Sequence, residues 1–203
     1  MHLYDISRPL LTSPVYPGDP RPRLEPLQRM ELGDECNLTA LFTCLHTGTH
    51  ADAPMHYLAD GKGIASLPLA PFVGRCTVWS MQGNITRQDI EQNIGKGCRR
   101  VLLRGEGKAF LTRPAALALG ALGVRLIGTD ADSIATPDDE ALPHKELLQN
   151  GVMILENLNL KSVPDGEYFL FAPPILVGEV DGAPVRAILI DLDNCVDEKD
   201  NCI

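Results

Sequence analysis

The stretch HTGTHADAPMH, residues 46–56, limits the possible folds of this chain more than any other. It holds three of the five histidines and one carboxylate, Asp52. A helix would place His46 and His50 on one face, but Thr47, Gly48 and Thr49 separate them and Pro54 follows. Glycine and β-branched residues are poor helix formers, and proline restricts the residue before it. In an extended chain His46, His50, Asp52 and His56 would share one face, because alternate residues point the same way. A straight strand would hold His46 and His56 about 33 Å apart at ~3.3 Å per residue. The segment is therefore expected to bend at Gly48 and Pro54 and wrap its polar side chains around a point.

Imidazole and carboxylate suit zinc, manganese or iron, and do not suit calcium alone. Catalytic zinc sites often take three such ligands and keep a position for water. The competing reading is a polar surface loop.

A second signal lies in VMILENLNL, residues 152–160. As a strand it places Val152, Ile154, Glu156, Leu158 and Leu160 on one face, with Glu156 the sole polar member. A buried carboxylate must be paired, protonated or bound to a metal, so Glu156 meets a buried arginine, sits at a bulge or joins a metal site. His144, twelve residues earlier, either is exposed in the first turn of a short helix or meets Glu156 across a helix–strand unit.

The rest of the chain reads as mixed α/β with a large sheet content. Strands are expected at 76–81, 100–105, 124–130, 152–160, 168–173 and 185–191, with another at 41–45 before the histidines. Helices are expected at 112–123 with Thr112 as N-cap, at 86–94, and at 144–150 stopped by Gly151. With 203 residues, 44% of them hydrophobic, one domain spanning 1–203 is expected, with an acidic solvated tail from about 192. The net charge of −9 argues against a nucleic-acid surface. No signal peptide or membrane-length apolar run is visible, so the expected location is cytoplasmic. The six cysteines form no C-x-x-C pair and are read as reduced, although Cys195 and Cys202 could join under oxidation. Cys44 is expected to face away from the histidines into the core. No G-x-S-x-G nucleophile elbow occurs.

At these residues the sequence resembles the cyclase-like family of metal-dependent hydrolases, whose best-known members are bacterial kynurenine formamidases (arylformamidases). The family signature H-x-G-T-H-x-D-x-P-x-H is complete in His46, Gly48, Thr49, His50, Asp52, Pro54 and His56. The likeness extends through YPGDP (16–20), LPLAPFVGRCTV (67–78), GTDADSI (128–134) and HKELLQNGVMILENLNL (144–160). It implies a compact, swivelling β/β/α fold with a mixed sheet, a homodimer or larger homo-oligomer, and a small-molecule substrate, with neither nucleic acid nor membrane as partner. It implies two zinc ions per chain, manganese being an alternative. His46 and His50 would bind the first metal, Asp52 and Glu156 would bridge, His144 would bind the second, and His56 would be the acid/base. The reaction implied is hydrolysis of N-formyl-L-kynurenine to L-kynurenine and formate, in tryptophan catabolism.

Two positions depart from the family pattern. Tyr16 stands where formamidases typically carry a substrate-contacting Trp, and Ala65 stands where many relatives have Asp. Tyr16 still offers an aromatic face, with an added hydroxyl. Two rival readings follow: a relative acting on a cyclic amide, ester or lactone, as isatin hydrolases do, and a metal-binding module without turnover.

Overall fold

Val101, Leu102 and Leu103 are consecutive and all fully buried. They lie in a strand covered on both faces, as the centre of a parallel sheet is. The computed structural model describes residues 2–191, so the acidic tail with Cys195 and Cys202 lies outside the described residues.

The strands are β1 (His2–Asp5), β2 (Arg23–Gln28), β3 (Leu38–Phe42), β4 (His50–Asp52), β5 (Val73–Ser80), β6 (Gly83–Ile85), β7 (Arg100–Arg104), β8 (Ala109–Leu111), β9 (Leu126–Thr129), β10 (Met153–Glu156), β11 (Gly166–Phe171), β12 (Gly182–Pro184) and β13 (Ile188–Asp191). Nine of them form one mixed sheet in the order β1-β13-β11-β5-β7-β9-β10-β4-β12. Its centre, β5-β7-β9-β10, is parallel, and its other pairings are antiparallel. β2 pairs with β3, and β6 with β8, in two small separate sheets.

The large sheet curls. β12 is one edge and β13 lies next to the other, yet only residues 185–187 separate them. From Pro184 to Ile188 the chain spans at most about 14 Å at ~3.6 Å per residue. Hydrogen bonds from Val185 N to Thr49 O (2.9 Å) and from Ile6 N to Ala187 O (3.0 Å) fasten this crossing.

Curling divides the core in two. Leu102, Leu126, Met153 and Leu155 face inward with Ala51, Phe72, Leu170 and Leu189. Val101, Leu103, Ile127 and Ile154 face outward under the helices α1 (Arg87–Asn93), α2 (Arg113–Leu122) and α3 (Ala141–Gln149). Each such fully buried aliphatic side chain contributes roughly 1.5–3 kcal/mol relative to exposure. The helices lie in the connections between parallel strands, as such pairings require.

Most expected elements are present with shifted ends. At α1, Thr86 and Asp89 form a reciprocal capping box. Thr112 holds the N-cap position of α2, but its hydroxyl donates to Ile85 O (2.9 Å) instead of capping. α3 begins at Ala141, three residues earlier than expected. The strand expected at 41–45 corresponds only to the end of β3. The largest correction concerns 152–160. β10 ends at Glu156, and Asn157 turns the chain with φ +58°, a conformation Asn tolerates better than most residues. Alternation is reset there, so Val152 and Ile154 pack under the helices while Leu158 and Leu160 join the inner core.

Candidate metal centre

The histidine segment bends where glycine and proline permit. Gly48 adopts φ +67° ahead of β4, and Pro54 opens the short 3-10 turn Pro54–His56 just after it. Between these bends His50 and Asp52 share one face of β4. The antiparallel register with β10 sets His50 opposite Glu156 and Asp52 opposite Ile154. Ile154 faces the helices, so all three polar side chains point toward α3, whose first turn carries His144.

Five expected site residues therefore converge. His46 Nδ1 lies 3.0 Å from Asp52 Oδ1. His50 Nε2 lies 3.4 Å from both Asp52 Oδ1 and Glu156 Oε2. His144 Nε2 is 3.1 Å from Glu156 Oε1 and 3.7 Å from Asp52 Oδ2. His50, Asp52, His144 and Glu156 are all buried, Asp52 with 0% exposure. The arginine alternative for Glu156 falls away, because its partners are His144, His50 and the backbone N–H of Ile134 at 2.7 Å.

Outer contacts orient the rings. His50 Nδ1 meets Gly48 O at 2.9 Å, and His144 Nδ1 meets Glu140 O at 2.7 Å. Each Nε2 is thereby turned inward, the usual support for a metal-binding imidazole. His50 Nε2 and Asp52 Oδ2 are buried without a hydrogen-bond partner. Leaving such an atom bare costs about 1–3 kcal/mol, and a cation among these donors removes that cost. Two groups of donor atoms lie within 4.8 Å of one another: His46, Asp52 and His56, and His50, Asp52 and Glu156. Asp52 belongs to both, as a bridging carboxylate would. The donor set fits zinc or manganese. The His46 ring is close to both neighbours, its centroid 5.0 Å from that of His50 and 4.1 Å from that of His56.

The electrostatics match this arrangement. Burial alone would raise the Asp52 pKa, but the hydrogen bond from His46 and the charge of the adjacent His50 ring hold it well below the usual carboxylate range. Burial likewise opposes charge on His50 and His144, yet Asp52 and Glu156 lift His50 to about 10, and Glu156 with Asp52 lifts His144 to about 9. For His56 burial prevails and lowers the pKa below its ordinary value. Its ring stacks on His46 with centroids 4.1 Å apart and 24° between planes.

His46, His50, His56, His144 and Glu156 line a cleft of about 320 Å³, together with Tyr16, Tyr57, Glu140 and Asp181. Tyr16 lies in the cleft wall and is 39% exposed. Cys44 is a correction. It lines the same cleft and its thiol meets Asp19 Oδ2 at 3.4 Å; the chain turns over residues 44–47, closed by Thr47 N–H donating to Cys44 O at 3.2 Å, so strand alternation does not carry Cys44 into the core. Sequence reading missed Asp181 and Tyr57. Asp181 Oδ2 lies 3.0 Å from His46 Nε2 and 3.9 Å from His56 Nδ1, and Tyr57 stacks on His144 with centroids 4.5 Å apart. No spacing signal ties Asp181 to the histidines, since it arrives from 135 residues away, immediately before the strand β12.

A larger cleft of about 980 Å³ is lined by Arg8, Arg104 and Asp130 among others. Its guanidinium groups are bonded to Asn157 Oδ1 and Asp130 O, and to Ser80 Oγ and Val163 O. Four bonds from the backbone N–H groups of Gly105, Glu106 and Gly107 satisfy the Asp130 carboxylate. The unpartnered donors lie at the smaller cleft, which is therefore the candidate site.

Comparison with known proteins agrees with this geometry. Residues 4–136 match the family model described as putative cyclase. A kynurenine formamidase from Sphingopyxis alaskensis is 38% identical over 207 aligned residues, covering 94% of this chain and 98% of that one. The chain belongs to the cyclase family. A solved structure described as a potential metal-dependent hydrolase with cyclase activity superposes with a TM-score of 0.81 at 31% identity, covering 93% of this chain and 96% of that one. Isatin hydrolase A from Labrenzia aggregata, bound to benzyl benzoate, shares the fold, with a TM-score of 0.80 at 21% identity and 93% of each chain covered. Among the described residues, no helix is long and apolar enough to cross a membrane.

Proposed function

We propose that this cyclase-family chain is a metal-dependent hydrolase of a non-peptide C–N bond. Its proposed substrate is N-formyl-L-kynurenine, cleaved to L-kynurenine and formate. The observation that carries the reading is the pair of unpartnered buried atoms, His50 Nε2 and Asp52 Oδ2, set among His46, His144 and Glu156 beside an open cleft. The formamidase relative at 38% identity over nearly the whole chain supports the substrate.

In this reading His46, His50, Asp52, His144 and Glu156 hold two zinc ions, or manganese. Bound there, divalent ions supply Lewis acidity that acidifies water and polarises an amide carbonyl. His56 supplies proton transfer. Its lowered pKa leaves the ring neutral near pH 7, ready to take a proton from attacking water. The same ring then delivers that proton to the departing nitrogen, which leaves poorly as an anion. The stacked His46 ring and Asp181 hold His56 at the cleft. Tyr16 and Tyr57 give the cleft aromatic walls suited to an aryl amide.

We also propose a homodimer or larger homo-oligomer of this single domain. The β2–β3 hairpin exposes Leu24, Leu27, Leu38, Leu41 and Phe42, and an isolated two-stranded hairpin is marginally stable in water.

The test measures metal content and N-formyl-L-kynurenine hydrolysis on one sample purified without chelator. Two metals per chain with rapid turnover is the expected result. Two metals with turnover only of a cyclic amide such as isatin would move the substrate. Bound metal with no turnover of any amide or ester would refute the enzyme reading.

A further inference from the structure

Glu140 serves two partners at once. Its backbone carbonyl accepts from His144 Nδ1 (2.7 Å), and its carboxylate accepts the Tyr16 O–H (2.9 Å). One residue thus joins the cleft wall to a candidate metal ligand. The Tyr16 hydroxyl is suited to the task, because hydrogen bonding to Glu140, with burial behind it, raises its pKa and keeps the phenol protonated as a donor.

The segment that carries Tyr16 has few other fastenings. Pro14, Tyr16 and Asp19 all line the cleft. Among the described residues, two side-chain hydrogen bonds tie residues 14–19 to the rest of the chain: Tyr16 to Glu140, and Cys44 Sγ to Asp19 Oδ2 at 3.4 Å. A thiol is a weak donor, so the phenol–carboxylate bond is the stronger of the two. The bond from Asp19 N to Tyr16 O is internal to the segment and adds no anchor.

We infer that Glu140 is a specificity-determining positioning residue: its bond to Tyr16 latches residues 14–19 against the cleft and fixes the Tyr16 ring as an aryl wall. Because Glu140 engages the hydroxyl, the substrate meets the ring and not a free O–H donor. An anilide-type formamide is therefore favoured over an N-alkyl formamide. This preference rests on the hydrolase reading above; the latch itself does not.

The experiment compares the full-length wild type with Tyr16→Phe, Glu140→Ala, Glu140→Gln and the Tyr16→Phe/Glu140→Ala double variant. Hydrogen exchange of the backbone amides of residues 15–19 is read first. Tyr16→Phe and Glu140→Ala are each expected to speed exchange about fivefold, the scale of one hydrogen bond. The double variant should be no faster than either single one, because both remove the same bond. Glu140→Gln keeps an acceptor oxygen and should restore near-wild-type exchange. On metal-loaded protein, Tyr16→Phe and Glu140→Ala should raise KM for formanilide about fivefold with kcat within about twofold, and affect an N-alkyl formamide less. Unchanged exchange in both single variants, or additive effects in the double variant, would overturn the latch. So would metal loss in Glu140→Ala with none in Tyr16→Phe, which would place the role of Glu140 on His144 alone. If the wild type hydrolyses neither amide, the hydrolase reading fails while the exchange data still decide the latch.

Discussion

Glu156 on β10 lies directly across the antiparallel ladder from His50 on β4, with Oε2 and Nε2 3.4 Å apart. This register places both on the face that looks toward α3, where His144 Nε2 reaches Glu156 at 3.1 Å. A slip of one residue would turn Glu156 into the inner apolar core. The cross-strand pair thus unites donors that are more than a hundred residues apart in sequence.

Replacing Glu156 with Gln keeps the shape and removes the charge. Metal content is expected to fall from the proposed two ions per chain to one or fewer, and activity by roughly 100-fold or more. Metal analysis beside circular dichroism checks this; an unchanged stoichiometry would remove Glu156 from the ligand set.

His56→Ala separates chemistry from metal binding. The variant should bind as much metal as the wild type while kcat drops by roughly 10²–10⁴-fold, the usual contribution of a positioned acid/base. Turnover at the wild-type rate would refute the role.

Gly182 supports His46 through the absence of a side chain. A Cβ there would stand 2.7 Å from His46 Cε1, closer than a packed ring tolerates. Gly182→Ala should displace His46, weakening metal binding by roughly 10-fold or more with little change in secondary structure. Titration of the chelated protein with zinc reads the effect, and wild-type affinity would show that the ring has room to move.

The pH dependence of stability should reverse on metal removal. Without metal, His50 near 10 and His144 near 9 stand above their ordinary value of 6.5. A raised folded-state pKa stabilises fully below the unfolded value and is lost as pH climbs through the folded one. Asp52 and Glu156 are both shifted down, though burial opposes each shift; His46 and His50 outweigh it for Asp52, and His144 and His50 for Glu156. Their contribution is present above the ordinary carboxylate range and lost in acid. Chelated protein should therefore melt highest at about pH 4.5–6.5 and progressively lower toward pH 9–10. Metal requires neutral imidazoles, so the gain in Tm on adding metal should grow from pH 6 to pH 9. Calorimetry with and without chelator at pH 5.5, 7.5 and 9 tests this; a chelated protein whose Tm rises across that range would contradict it.

The sequence by itself determined the local features. Glycine, threonine and proline among the histidines exclude a helix and require a bend, and Gly48 and Pro54 supply it. Alternation and apolar runs mark most strands, and one carboxylate in an apolar run singles out Glu156. These follow from short-range sterics and from the cost of burying charge. Only the tertiary structure decided what depends on distant segments meeting. It reset the alternation at Asn157, placed Cys44 in the cleft, brought Asp181 to His46 and His56, and gave Tyr16 its partner in Glu140. It also curled the sheet until three residues could join β12 to β13. The reason is that register and curl are set by packing summed over two cores, and no short stretch of sequence carries that sum.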